Sequence, residues 1–264
     1  MFRLTRQVRF AVSPAHDPPP GAKPANSYAG FPALDGLGYF FILEPTVSGP
    51  LDPLSGYLLN IKQIDAAVRE LAIPRVAAAI RGQTFASGAN LLADLFTRLR
   101  PAWPGAQLES LRLWLSPFLS LDVLAWEFPM VRLSQKFEFC ASHRLHNPAL
   151  SQRQNQQMFG KCNNPNGHGH NYELQVTVAG DANAAGHIVD LPQLERTVAR
   201  VVIERFDHKN LNADLPDFAA QIPSVENIAR VIYRLLKSEL ESPKVRLAAV
   251  TVWETAKTWC EYTE

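Results

Sequence analysis

The chain of 264 residues is 47% hydrophobic with a formal charge of +1, enough apolar material to build one large domain or two modest ones. So small a net charge supplies no electrostatic footprint for nucleic acid or an anionic membrane, and any ligand has to be held by a local site. Three cysteines, Cys140, Cys162 and Cys260, show no paired spacing, which argues against a disulfide framework and leaves thiol chemistry available.

The opening MFRLTRQVRFAV contains no apolar run of signal-peptide or membrane-span length, so the expected location is the cytoplasm. FRLTRQVRFAV reads as a strand, followed by a proline-rich loop from Ser13 to Pro24 in which His16 is a solvated loop residue. YFFILEPTVSG is a second strand. One helix is expected after Asn60 with Ile61, Ile64 and Val68, and another after Ser87. LESLRLWLS and FLSLDVLAWEF are then two closing strands. From Val131 the same order returns. VRLSQKFEFCASH and HNYELQVTVAG are strands. A helix capped by Asp190 carries Leu191, Leu194, Val198 and Val201, and a helix capped by Ser224 carries Ile228, Ile232 and Leu235. RLAAVTVWET and TWCEYT close the unit. SGANLLADLFTRL lies on SVENIARVIYRLL, and SLRLWLS on AVTVWET. The sequence therefore predicts an α+β protein of two ββααββ units, residues 1–128 and 129–264.

Six of the seven histidines lie between His143 and His208. His168 and His170, two apart on a strand, share a face with Tyr172, Leu174 and Val176, and His143 shares a face with Phe139 and Ala141. Three imidazoles can thus converge at one end of a buried face, the donor set of a catalytic zinc site with one position open. His146 and His187 fit neither face and are expected at the surface. Cys162 precedes His168 across NNPNG, a turn-forming run. It is an inert thiol, a fourth metal ligand that would close the site, or a base with a lowered pKa. Asp207 and His208 sit between the helices, as a dyad or as a polar loop. Glu254 has the parity of Val250 and Val252, so its carboxylate points along an apolar face and needs a partner. Glu226, in a first helical turn, meets the helix dipole or serves a ligand.

Taken in order, FCASHRLHNPALS, FGKCNNPNGHGHNYELQVTVAG, VDLPQLE, DHKNLN, PSVENIA and VWET resemble the 6-pyruvoyltetrahydropterin synthase family of the tunnelling fold (T-fold), over residues 131 to 264. Ser224 stands where that family usually has threonine. The resemblance implies zinc, one ion per chain, on His143, His168 and His170, with Cys162 as base and Asp207 and His208 as its partners. It also implies that Glu254 anchors a pterin and that Glu226 lines the same pocket. The implied substrate is 7,8-dihydroneopterin triphosphate and the products are 6-pyruvoyltetrahydropterin and triphosphate, with Mg²⁺ a candidate companion of the triphosphate. A related branch, the 6-carboxytetrahydropterin synthases of queuosine biosynthesis, typically shows C-x3-H-x-H; here the spacing is C-x5-H-x-H, which favours the pyruvoyl branch. A non-catalytic zinc- or pterin-binding scaffold is the reading from another class.

The resemblance further implies a homo-oligomeric barrel with Asp207 and His208 supplied to the neighbouring unit's site. The expected assembly is a trimer of tandem units in two stacked rings, the rival being alternating units as in uricase. In the first unit Pro14 falls at the position of His143, Gly36 and Gly38 at His168 and His170, Ala89 at Glu226 and Leu115 at Glu254. That half is expected to bind no zinc.

Overall fold

The computed structural model describes residues 1–16, 26–82, 87–183 and 186–264; of the proline-rich loop, residues 17–24 therefore lie outside the described residues. The chain divides into two compact units, Met1–Ser134 with Ala179–Ile188, and Gln135–Val178 with Val189–Glu264. No described helix is long and apolar enough to cross a membrane.

The first unit is built on strands β1 (Phe2–Thr5), β2 (Val8–Val12), β3 (Tyr39–Gly49), β4 (Gln107–Ser116) and β5 (Leu119–Leu124). Both β1 and β2 pair antiparallel with β3, which pairs with β4, and β4 with β5. The single opening strand expected from the sequence is thus two. The register places Thr5 opposite Thr46 and Val8 opposite Leu43, so Arg6 and Gln7 face Pro45 and Glu44. Proline has no N–H to donate, and the ladder is interrupted there. β5 is shorter than FLSLDVLAWEF suggests because the backbone N–H groups of Glu127 and Phe128 both turn back onto the Leu124 carbonyl.

In the second unit β6 (Val131–His143), β7 (His168–Gly180), β9 (Val245–Thr255) and β10 (Thr258–Tyr262) lie side by side in that order, with the two-residue β8 (Lys209–Asn210) parallel to β6. The core of this unit is aromatic beneath the histidines. Phe139 stacks on Tyr172 at 5.0 Å between ring centroids and meets Phe206 edge-on at 5.7 Å. The helix Val225–Leu240, capped by the Ser224 hydroxyl on Asn227 N–H, buries Ile228, Ile232 and Leu236, and its Tyr233 hydroxyl donates to the Leu247 carbonyl. Helix Gln152–Phe159, absent from the expected order, opens on a capping box between Ser151 and Gln154. Its buried member is Asn155, whose side chain holds the Asn147 N–H and the carbonyls of Asn147 and Leu150.

Each unit has a helix with a widened π turn: Ile61–Ala67 runs into Val68–Ala72 and Ile73–Ile80, and Leu191–Val198 into Ala199–Ile203 and Glu204–Phe206. The buried residues recur every four positions, Ile64, Val68, Ala72 and Val76 in one and Leu194, Val198, Val202 and Phe206 in the other. In an α-helix a four-residue step overshoots a full turn by about 40°. The wider turn absorbs that drift and keeps the stripe on the sheet. It also explains why Val202 is buried and Val201, expected on the inner face, is only half-buried.

Candidate metal centre and active site

β6 and β7 deliver the three histidines as their alternation requires. His143 is fully buried at the end of β6, two residues beyond Ala141, and His168 and His170 open β7 above the buried Tyr172. The turn into β7 depends on Gly167, at φ 72°, where a Cβ would stand 2.9 Å from the His143 carbonyl oxygen. One nitrogen from each ring lies within 4.8 Å of the others, and this is the sole metal-capable group of three or more such side chains found among the described residues.

The hydrogen bonds fix how one ring is oriented. His143 Nδ1 lies 2.7 Å from the Pro223 carbonyl, which can only accept, so Nδ1 carries the proton. A ring so oriented offers a metal ion the Nε2 lone pair, and two more acceptor-capable atoms crowd that nitrogen: His168 Nε2 at 3.1 Å and Glu254 Oε1 at 3.2 Å. His170 Nε2, 3.6 Å from the same Glu254 oxygen, is buried without a hydrogen-bond partner, as is His168 Nδ1. Converging lone pairs of this kind call for a cation among them, and the donor set fits zinc.

Burial, reinforced by the neighbouring rings, pushes His168 down from the ordinary histidine value; burial likewise lowers His170, with Glu254 opposing. Both are favoured as the neutral imidazoles that ligate metal. Glu254 is held below the usual carboxylate range by the histidines facing it, His143 first, against its own burial. The Tyr172 phenol is pushed up, mainly by burial and then by the charges of Glu254 and Cys162.

Cys162 is half-buried in the short helix Gly160–Asn163 and stays outside the metal-capable group. Its carbonyl accepts from Leu145 N–H at 2.9 Å, which ties the cysteine segment to the chain just past His143. His146, expected at the surface, is instead half-buried, with Nδ1 3.0 Å from Asn163 Oδ1, because it braces this same segment. Asp207 accepts from Cys140 N–H at 2.7 Å and lies 2.7 Å from His208 Nδ1; these two contacts, the Cys140 bond first, hold its carboxyl low. His208 adopts φ 57°, and 81% of its side chain is exposed, so the dyad is open to solvent where β8 meets β6. Glu226 is exposed in the first turn of its helix, its charge reaching Cys260. The part of the Pro223 carbonyl in orienting His143 was not foreseen: a backbone oxygen leaves no residue-type signal.

A family model for 6-pyruvoyl tetrahydropterin synthase matches residues 132–264, about half of the chain. The chain belongs to the 6-pyruvoyl tetrahydropterin synthase family. The human 6-pyruvoyl tetrahydrobiopterin synthase is 42% identical over 125 residues, which span 47% of this chain and 85% of the human protein. A 6-carboxy-5,6,7,8-tetrahydropterin synthase of Haemophilus influenzae is 27% identical across 51% of this chain and 100% of its own length. Among solved structures, the Caenorhabditis elegans 6-pyruvoyl tetrahydropterin synthase aligns with 52% of this chain and 96% of its own at 37% identity and a TM-score of 0.49. The family match ends at the last residue and begins at Arg132, one residue into β6, so the eight site candidates expected from the sequence, His143 to Glu254, fall inside it.

Proposed function

We propose that the chain is a zinc-dependent lyase that converts 7,8-dihydroneopterin triphosphate to 6-pyruvoyltetrahydropterin and triphosphate. The observation that carries this reading is the group of three convergent histidines, with Cys162 outside it but close enough for its charge to act on Tyr172, the ring packed against His143 and His170. Substrate and product differ by loss of triphosphate and by internal movement of hydrogen, so the conversion requires a proton carrier and consumes no oxidant.

His143, His168 and His170 would hold the ion. Bound there, zinc supplies Lewis-acid polarisation of the substrate's side-chain hydroxyls and so acidifies the adjacent C–H bonds. Cys162, as thiolate, takes protons from the side-chain carbons and returns one to the ring. Asp207 orients His208, which relays protons to and from the thiol. Glu254 accepts two parallel hydrogen bonds from the pterin's amino and ring N–H edge, and Glu226 lines the same pocket. The reach from Glu254 to the histidines, 3.2 to 3.6 Å, favours an anchor and a reacting side chain within one small cavity.

The same reading makes the chain a tandem of T-fold units, 1–128 without chemistry and 129–264 catalytic, assembled as a homo-oligomer. Three chains would give two stacked rings, in which barrel closure pairs the exposed sheet edges. Support for a shared site comes from the exposed Asp207–His208 dyad, which a neighbouring second unit could receive at its own Cys162. Mass spectrometry of the products formed by purified protein from dihydroneopterin triphosphate tests the activity. Pyruvoyl product is expected; carboxy product places the chain in the other branch, and no product with zinc bound reduces it to a scaffold.

A further inference from the structure

The first unit contains a cleft that the proposed chemistry does not use, about 460 Å³ in volume, with Arg6, Arg9 and Arg69 on its walls. Asp65 is the one acidic residue among the described residues that line it. Arg6 Nε and Nη2 donate to the two Asp65 oxygens, both at 2.9 Å, so that carboxylate is already engaged by one fork. Two guanidiniums remain without an acid partner in the cleft. Arg9 lies over the Tyr28 ring at 5.0 Å from its centroid and donates to Gln7 Oε1 at 2.8 Å, while the Gln7 amide in turn donates to Glu44. Arg69 lies over Phe31 at 5.0 Å and donates through Nη1 to the Phe31 carbonyl.

Arg69 Nε is buried and has no hydrogen-bond partner among the described residues. Burial holds this guanidinium below its ordinary value, with Asp65 opposing and Arg6 adding a smaller repulsion. A charged group deprived of water and left with an unmet donor is costly, and an anion in the cleft that Arg69 lines would offset the charge part of that cost. Aromatic stacking has also restricted two of the guanidiniums in advance, so less freedom is lost when a ligand arrives.

We propose that this cleft binds a multiply charged phosphoryl group carried by a small molecule. Three guanidiniums against one carboxylate leave an excess of two positive charges, which a phosphate monoester or diphosphate neutralises. Planar N–H forks match phosphate oxygens in pairs. The volume is that of a small-ligand site, not of a groove for a macromolecule. The assignment rests on the first unit's own residues and stands whether or not the second unit is a pterin synthase.

Titration calorimetry of the full chain with inorganic pyrophosphate tests it, at low and at high salt. Binding is expected for the natural sequence, weakened about tenfold or more by Arg9→Gln and by Arg69→Gln, and weakened by salt. Arg9→Gln gives up the stack on the exposed Tyr28 ring and the bond to Gln7, neither part of the core, and should leave turnover in the second unit unchanged, which guards against a variant that merely fails to fold. Any anion site in the second unit would persist in both variants and is subtracted by them. Succinate is the carboxylate comparison and should bind more weakly. Equal pyrophosphate affinity in all three proteins, no heat at millimolar pyrophosphate, or tighter binding of succinate would each overturn the proposal.

Discussion

Glu254→Gln separates the two things a carboxylate 3.2 Å from His143 could be doing, anchoring a pterin or serving as a fourth metal ligand. Only 20% of the Glu254 side chain is exposed, so its hydrogen bonds to a ligand would be largely shielded from water and the magnitudes for charge-assisted bonds apply, about 1.5–3 kcal/mol each. Glutamine keeps one acceptor and turns the other into a donor that faces a pterin N–H. At least one such bond is lost and a donor opposes a donor, for a total of about 3–4 kcal/mol, or two to three orders of magnitude in kcat/KM. The metal-free protein should not be weakened, because the new amide N–H can donate to the His143 lone pair that the carboxylate oxygen now crowds. The assay is turnover of dihydroneopterin triphosphate beside zinc content and the melting temperature of the stripped protein. Full zinc with turnover reduced as stated supports the anchor. Zinc falling well below one per chain would show Glu254 to be a ligand, and unchanged kcat/KM would remove it from the pterin site.

His168→Ala should abolish a zinc content of about one per chain measured on the natural sequence; two ions per chain, or metal retained in the variant, contradicts the three-histidine site. Cys162→Ala should keep zinc while turnover falls by about 10²- to 10⁴-fold, the usual worth of a general base; zinc lost with the thiol would mean a closed structural site. Mixing inactive His168→Ala chains with inactive His208→Ala chains should restore part of the activity if the Asp207–His208 dyad crosses to a neighbour, and demonstrated subunit exchange without recovery rules that out. Phe139→Ala, which removes the ring stacked beneath the site, should destabilise by about 3–5 kcal/mol in chemical denaturation; a loss under 1 kcal/mol would mean that this aromatic layer is not tightly packed.

Strand alternation made the site legible: two-residue parity is enough to put His143, His168 and His170 on one face, and the structure brings them to one point. Helix starts were legible where a side chain caps them, as at Asn60, Ser87 and Ser224. Helix Gln152–Phe159 escaped because QRQNQQMF has no apolar period, although the Ser151 and Gln154 pair announced its start. The break between β1 and β2 needed knowledge of which residue lies across the ladder, and only the register supplies Pro45. The brace from His146 to Asn163 joins residues 17 apart in the chain, and nothing in their spacing marks it.

A helix whose inward residues return every fourth place is a counted ruler, tolerant of substitution on its outer side and intolerant of any change in the count. Inserting one residue between Val68 and Ala72 would swing Ala72 and Val76 by about 100°, away from the sheet they now cover. The same would happen to Val202 and Phe206 if one residue were added after Val198. Widened turns often mark functional sites, and the one in the first unit carries Arg69 on the wall of the guanidinium cleft. The wide turn is a solution to arithmetic, a period of four laid on a helix of 3.6, and in the first unit it also sets where a cleft side chain leaves the helix.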